Sequence, residues 1–266
     1  MDYKLVAIDL DDTLLANDLQ ISKRTVKAIK EAQNEGVRVV IATGRMHSSA
    51  LPYAKMLGLK HELITYNGAL VKRVVDNQTL YHEPISTELV RKVAKVAQKH
   101  DLHINFYLDD LLYVNKTGVE ADYYEEIAGI KPILITEDVG DFLDRPSTKL
   151  LIIENDRTKL EEVFSELTAG FADSVTITTS KVNFIEIMGQ QVCKGTTLAN
   201  VATKLGIKAE EIIAIGDSYN DLEMIEYAGL GVAVGNAKEE IKEEADYITG
   251  TNNEEGVAQV IEKFIL

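Results

Sequence analysis

The sequence predicts an α/β fold: a doubly wound, mostly parallel core sheet with an α+β segment inserted into it. Three observations carry this. Strand-like apolar runs alternate with helix signals over the first third of the 266 residues and again from Lys194 onward. The first of those runs is continuously apolar rather than alternating, as expected for a strand buried on both faces of a parallel sheet. Between about 84 and 190 the rhythm changes to strands and helices that do not form a simple βαβ repeat, which suits helices on one face of an antiparallel or mixed sheet. The expected domains are therefore 1–83 with 189–266, and an inserted domain at 84–188.

Residues 4–10 read as the first strand. Ser22 is a helix N-cap, Val26, Ile29 and Ala32 form the stripe behind it, and Gly36 is the stop. A second strand at 37–42 and a helix at 47–57 ending near Gly58 follow. A third strand at 63–66 closes on Asn67-Gly68, a turn signal first and a substrate loop second. Residues 69–75 and 79–82 form a hairpin around Asp76-Asn77. Pro84 opens the insertion: helix 87–100, strands 102–107 and 111–115, helix 119–128, strand 132–135, helix 137–143, strand 148–153, helix 157–169, and strands 174–178 and 183–188. The doubly wound rhythm then returns with helix 196–205, strand 212–215, a helix near 221–227, strand 230–234, helix 238–244, a short strand at 246–248 and helix 254–264.

With 45% hydrophobic residues the chain can bury a substantial core. A formal net charge of −15 and a sequence pI of about 4.8 argue against nucleic-acid or anionic-membrane partners, although small anionic substrates remain compatible if a metal and a few cations invert the field at one site. Cys193 is the only cysteine, so no intrachain disulfide forms and a reducing, cytoplasmic setting is expected. It reads as a small neutral side chain, not a nucleophile. Acids interrupt the first apolar run too early for a signal peptide, and no uncharged run approaches the roughly 18 residues of a membrane span.

The first strand ends in Asp9-Leu10-Asp11-Asp12-Thr13. Ligands of open α/β sheets bind just beyond the carboxyl ends of the strands. The i, i+2 spacing points Asp9 and Asp11 the same way if extended geometry continues, while Asp12 points away and reads as structural. Two such carboxylates repel unless a cation or proton stands between them, so they suit a divalent metal or a nucleophile beside an acid/base. A strand-ending turn or an N-cap is the competing reading. Further polar clusters stand at Thr43-Gly44-Arg45, Lys194 and Gly216-Asp217-Ser218-Tyr219-Asn220-Asp221. Alone, the second is an ordinary turn and Lys194 a surface lysine; the last is more specific, because turn chemistry rarely needs two acids and an amide. Parallel strands deliver such clusters to one edge. There Asp9 and Asp217 offer hard oxygens for Mg²⁺, while Thr43, Lys194, Asn220 and backbone N–H groups offer donors to phosphate oxygens.

This ordered set resembles the four motifs of the haloacid dehalogenase superfamily of phosphatases, and among them the Cof-like group, over nearly the whole chain. The resemblance implies a Rossmann-like core with an inserted cap that sets specificity. It implies Asp9 as the nucleophile that becomes an aspartyl-phosphate, and Asp11 as the acid that protonates the leaving oxygen and then activates water. Mg²⁺ would lie between Asp9, the backbone carbonyl of Asp11, and Asp217, with Asp221 supporting the metal shell. Leu10 through its N–H, Thr43, Gly44, Lys194 and Asn220 would hold the phosphoryl oxygens. The expected activity is Mg²⁺-dependent hydrolysis of small phosphomonoesters, with sugar phosphates the expected substrates; the alternatives are a phosphomutase and a non-catalytic sugar-phosphate sensor on the same fold. A nucleotide-binding module is a weaker rival, since Lys194 precedes Gly195 in the P-loop-like stretch and Gly229-x-Gly231-x-x-x-Gly235 lies on a strand. Tyr107, Asn183 and Glu186 read as ordinary surface polar residues, and His47 as a helix-start histidine without a role.

Overall fold

The computed structural model describes residues 2–179 and 182–266. The chain divides into two compact units, Met1–Tyr81 with Cys193–Leu266, and His82–Val192.

The first unit is built on an eight-stranded sheet. Its strands are β1 (Leu5–Ile8), β2 (Arg38–Ala42), β3 (Glu62–Thr65), β4 (Leu70–Arg73) and β5 (Thr79–His82), joined after the insertion by β12 (Ile212–Gly216), β13 (Leu230–Ala233) and β14 (Tyr247–Ile248). The order is β14-β13-β12-β1-β2-β3-β4-β5. The six strands from β14 to β3 are parallel, and β4 turns back antiparallel on β3. β1 is buried along its whole length because it is covered twice. Val6 and Ile8 face one cluster with Ala28, Ile29 and Ala32 of α1 (Lys23–Asn34) and Val257 and Ile261 of α10 (Gly256–Phe264). Leu5 and Ala7 face the other with Leu198 and Ala202 of α7 (Lys194–Leu205) and Met224 of α8 (Leu222–Tyr227). A strand covered twice has no polar face to present, hence its unbroken apolar run.

Local signals act where the sequence places them. Ser22 caps α1 by accepting the Thr25 N–H, and Gly36 leaves that helix at φ +86°. Gly58, at φ +70°, follows α2 (His47–Met56). Asp76 accepts the Gln78 N–H in the β4–β5 turn, where Asn77 takes φ +57°. From β1 the chain winds outward through β2 and β3; after the insertion it returns beside β1 at β12 and winds the other way. The switch between β1 and β12 is where doubly wound sheets place ligands.

The second unit holds a six-stranded mixed sheet in the order β10-β11-β9-β6-β7-β8. Its strands are β6 (His103–Leu108), β7 (Leu111–Val114), β8 (Ile133–Leu134), β9 (Lys149–Ile153), β10 (Val175–Thr179) and β11 (Phe184–Gly189). All pairings are antiparallel except β7 with β8. One sheet face, through Ile104, Phe106, Leu150, Ile152 and Ile185, packs on α3 (Thr87–Lys99) and α6 (Arg157–Phe171). The alternate positions carry polar groups, and here the structure departs from expectation. Tyr107 and Glu186 are buried. Lys149 pairs with Glu186 at 2.8 Å. The Tyr107 hydroxyl donates to that of Tyr124, on α4 (Val119–Ala128), at 2.6 Å. Three adjacent strands bring these groups together across long sequence gaps. Asn183 is half-buried and donates to Asn155 at 2.9 Å. The remaining helices are α5 (Val139–Phe142) and α9 (Glu239–Glu244). No helix among the described residues is long and apolar enough to cross a membrane.

Candidate active site

Asp9 and Asp217 leave neighbouring strands at the topological switch. The Asp9 N–H donates to Ile215 O at 3.0 Å, so the two strands stay joined up to the first acid. Carboxylate oxygens of Asp9, Asp217 and Asp221 lie within 4.8 Å of one another. Lys194, the first residue of α7 and fully buried, reaches in from the side; its ammonium donates to Asp9 Oδ1 at 2.5 Å and to Asp221 Oδ1 at 2.6 Å. The other oxygen of Asp221 accepts the backbone N–H groups of Asp217 and Ser218 at 3.1 and 3.2 Å. Asp221 is therefore held by its own loop and by Lys194. Asp217 accepts the Thr13 hydroxyl at 3.2 Å.

Three acids around one ammonium leave negative charge in excess. Burial, and then the charge of Asp221, push the Asp9 carboxyl well above the ordinary range. The same causes, in the same order, push Asp217 up to about 7. Burial alone would discharge Lys194, but Asp221 and Asp9 outweigh it and hold the ammonium protonated. A cluster whose acids resist ionisation without more positive charge fits a divalent cation, with Asp9 and Asp217 as the natural oxygen donors and Asp221 behind them.

The Asp11 carboxylate has a different partner. Asp9 and Asp11 are both extended, but Asp12 turns to φ +57° and the Leu15 N–H closes on Leu10 O at 2.9 Å. Asp11 is held by Arg45, whose Nε and one terminal nitrogen donate to its two oxygens at 2.9 and 2.5 Å. The Asp11 carboxylate is thus bound bidentately by a guanidinium from a second loop. Asn236 and Asn252 pin this turn by donating to Asp12 O and Leu15 O at 2.7 and 3.0 Å. Leu10 is buried in the core behind it.

The Thr43-Gly44-Arg45 turn follows β2, whose Ile41 pairs with Ile8, so it leaves the same sheet edge as Asp9. Thr43 is fully buried, and its hydroxyl accepts the Arg45 N–H at 3.2 Å. Asn220 donates from its amide to Asn67 Oδ1 at 3.0 Å. A Cβ on Gly44 would lie 2.9 Å from that same oxygen. Asn67 thus stands between two sequence-predicted phosphate residues, and the turn signal at Asn67-Gly68 was the only local trace of it. His47, buried at the start of α2, lies 3.3 Å from Asn77 Oδ1. The glycines that mimic a nucleotide fingerprint have a packing reason: a Cβ on Gly231 would meet Ile225 O at 2.5 Å, and one on Gly229 the Glu210 Cα at 2.5 Å.

Residues 6–261 match the haloacid dehalogenase-like hydrolase family. Over 270 residues the chain is 36% identical to 5-amino-6-(5-phospho-D-ribitylamino)uracil phosphatase YcsE of Bacillus subtilis, covering 100% of this chain and 97% of that one. It is 30% identical over 270 residues to a second B. subtilis protein of the same activity, YitU, covering 98% and 97%. A crystal structure of a haloacid dehalogenase-like hydrolase from Bacteroides thetaiotaomicron superposes with a TM-score of 0.91 at 32% identity, covering 98% of this chain and 99% of that one. The order of acids, turn and lysine along this sheet edge therefore has its family: the chain belongs to the haloacid dehalogenase-like hydrolases, as a phosphomonoester hydrolase of the Cof-like group.

Proposed function

We propose that the protein is a Mg²⁺-dependent phosphatase of small sugar phosphates that works through an aspartyl-phosphate on Asp9. The observation that carries this reading is the buried Asp9–Lys194–Asp221 arrangement beside Asp217 at the switch between β1 and β12. An Asp9 oxygen attacks phosphorus; the Asp9 O–P bond forms as the bond to the leaving oxygen breaks. Asp11 gives that oxygen its proton, then takes one from the water that attacks the same phosphorus, and inorganic phosphate leaves with Asp9 restored. For either transfer Asp11 must exchange its pairing with Arg45 for the reacting group. Lys194, Thr43, Asn220 and the N–H groups of Leu10 and Gly44 hold the phosphoryl oxygens. Asp9, Asp217 and the Asp11 carbonyl, with Asp221 behind them, would hold Mg²⁺, which would supply the positive charge that lets an anionic phosphate approach an anionic nucleophile. Residues 82–192 are assigned the role of the cap, which contacts the leaving group.

The relatives named as phospho-ribitylamino-uracil phosphatases support a polyhydroxylated leaving group, with an open ribityl chain the first candidate. The test is phosphate release with Mg²⁺ from a panel of pentitol, pentose, hexose and nucleoside monophosphates. Open-chain and sugar phosphates are expected to lead in kcat/KM. A panel led by nucleotides would overturn the substrate class.

A further inference from the structure

The turn Tyr66-Asn67-Gly68 is the most unusual backbone near the site. All three residues have positive φ, at +53°, +54° and +107°. Glycine adopts this freely and asparagine tolerates it, but a buried tyrosine does so only under constraint. Such strain persists where the surroundings over-determine it, and it gathers at functional sites. The constraint here is legible. The Tyr66 and Asn67 N–H groups donate to Arg45 O and Thr43 O, both at 3.0 Å, so the turn is zipped onto the phosphate loop. The Thr197 hydroxyl donates to Gly68 O at 3.0 Å, and a Cβ on Gly68 would lie 2.5 Å from Cys193 O. The turn is thus wedged between Thr43-Gly44-Arg45 and the first turn of the helix that carries Lys194.

A role in the turn alone would ask only for a left-handed residue, and glycine would serve it best. The Asn67 side chain does more. It is buried, and its carbonyl oxygen accepts from Asn220 while filling the space over Gly44. An acceptor facing Asn220 decides which end of that amide turns toward it, and therefore which donor remains for an anion. We propose that Asn67 is a positioning residue: its side-chain carbonyl fixes the Asn220 amide and the Gly44 backbone as donors to the phosphoryl group. This rests on the phosphatase reading above.

The test is a double-mutant cycle in the full chain with Asn67→Gly, which keeps the left-handed backbone, and Asn220→Ala. The readouts are kcat/KM for p-nitrophenyl phosphate with Mg²⁺, and the Kd of inorganic phosphate with Mg²⁺ by calorimetry. Asn67→Gly is expected to lose about tenfold in each, with its melting temperature close to that of the parent. The double variant is expected to be no worse than Asn220→Ala. An Asn67→Gly protein within twofold of the parent, or one whose loss recurs in full on Asn220→Ala, would overturn the proposal. Should Asn67→Gly not fold, Asn67→Asp decides: it keeps the shape, the acceptor and the turn, and its added charge is expected to weaken phosphate binding about tenfold, with unchanged binding counting against the proposal. A parent without turnover would sink the phosphatase reading, while the phosphate-binding cycle would still decide the role of Asn67.

Discussion

At the scale of residues, the site is a problem in charge: two carboxylates share one buried ammonium, and Asp217 crowds a third against them. Removing that ammonium leaves the acids uncompensated, so Lys194→Ala should cost about 3–5 kcal/mol in urea unfolding as well as activity. A variant as stable as the parent would contradict the assigned balance. Asp9→Asn removes a carboxyl that burial already disfavours as an anion, so it should abolish turnover yet melt no lower than the parent in EDTA. Asp217 contributes a pH dependence. Burial and the Asp221 charge push its carboxyl up to about 7 in the fold, so the folded chain binds that proton more tightly than the unfolded chain. Its contribution to metal-free stability therefore grows as pH falls through 7 and is lost as pH rises through it. Mg²⁺ competes with this proton, so the rise in melting temperature from EDTA to Mg²⁺ should be larger near pH 8 than near pH 6. An equal or larger rise at pH 6 would contradict the assignment. Asp9 and Asp217 were legible because each ends an apolar run in an acid. The Arg45 hold on Asp11 was not, because it joins residues 34 apart through a turn at Asp12 that no periodicity encodes. The buried Lys149–Glu186 pair escaped for a similar reason: strands β9 and β11 become neighbours only in the folded sheet.

At the scale of elements, α7 carries Lys194 and must lie close to α8. A Cβ on Gly195 would meet the Glu223 backbone at 2.5 Å, and one on Gly216 would meet Asp221 Cβ nearer still. Alanine favours helices by about 1 kcal/mol over glycine. Gly195→Ala should nonetheless destabilise by about 1–3 kcal/mol, because the helices must part and Lys194 must move with them. Denaturant midpoints and kcat measured together check this; a stabilised, fully active variant would contradict it. Helices and strands themselves were largely legible, since Ser22, Gly36 and Gly58 act locally. The reach of α7 back to Lys194 was not: the expected start at 196 missed a first turn whose N-cap is Cys193, which accepts the Thr196 N–H through sulfur.

At the scale of the whole molecule, each unit has its own apolar clusters, one set drawn from residues before 82 and after 192 and the other from residues between them. Residues 82–192 expressed alone should therefore give a single cooperative melt, and a non-cooperative chain would contradict that independence. The change of rhythm along the sequence pointed to an insertion because its strands are not separated by the crossover helices that a parallel sheet requires. The convergence of acids on one edge was legible only once parallel strands were assumed. The measurement that tests the central claim most directly is phosphate release from sugar phosphates by the parent and by Asp9→Asn, each with Mg²⁺ and with EDTA. The account predicts release by the parent with Mg²⁺ alone and none from Asp9→Asn. Release that survives EDTA, or substantial turnover by Asp9→Asn, would contradict it.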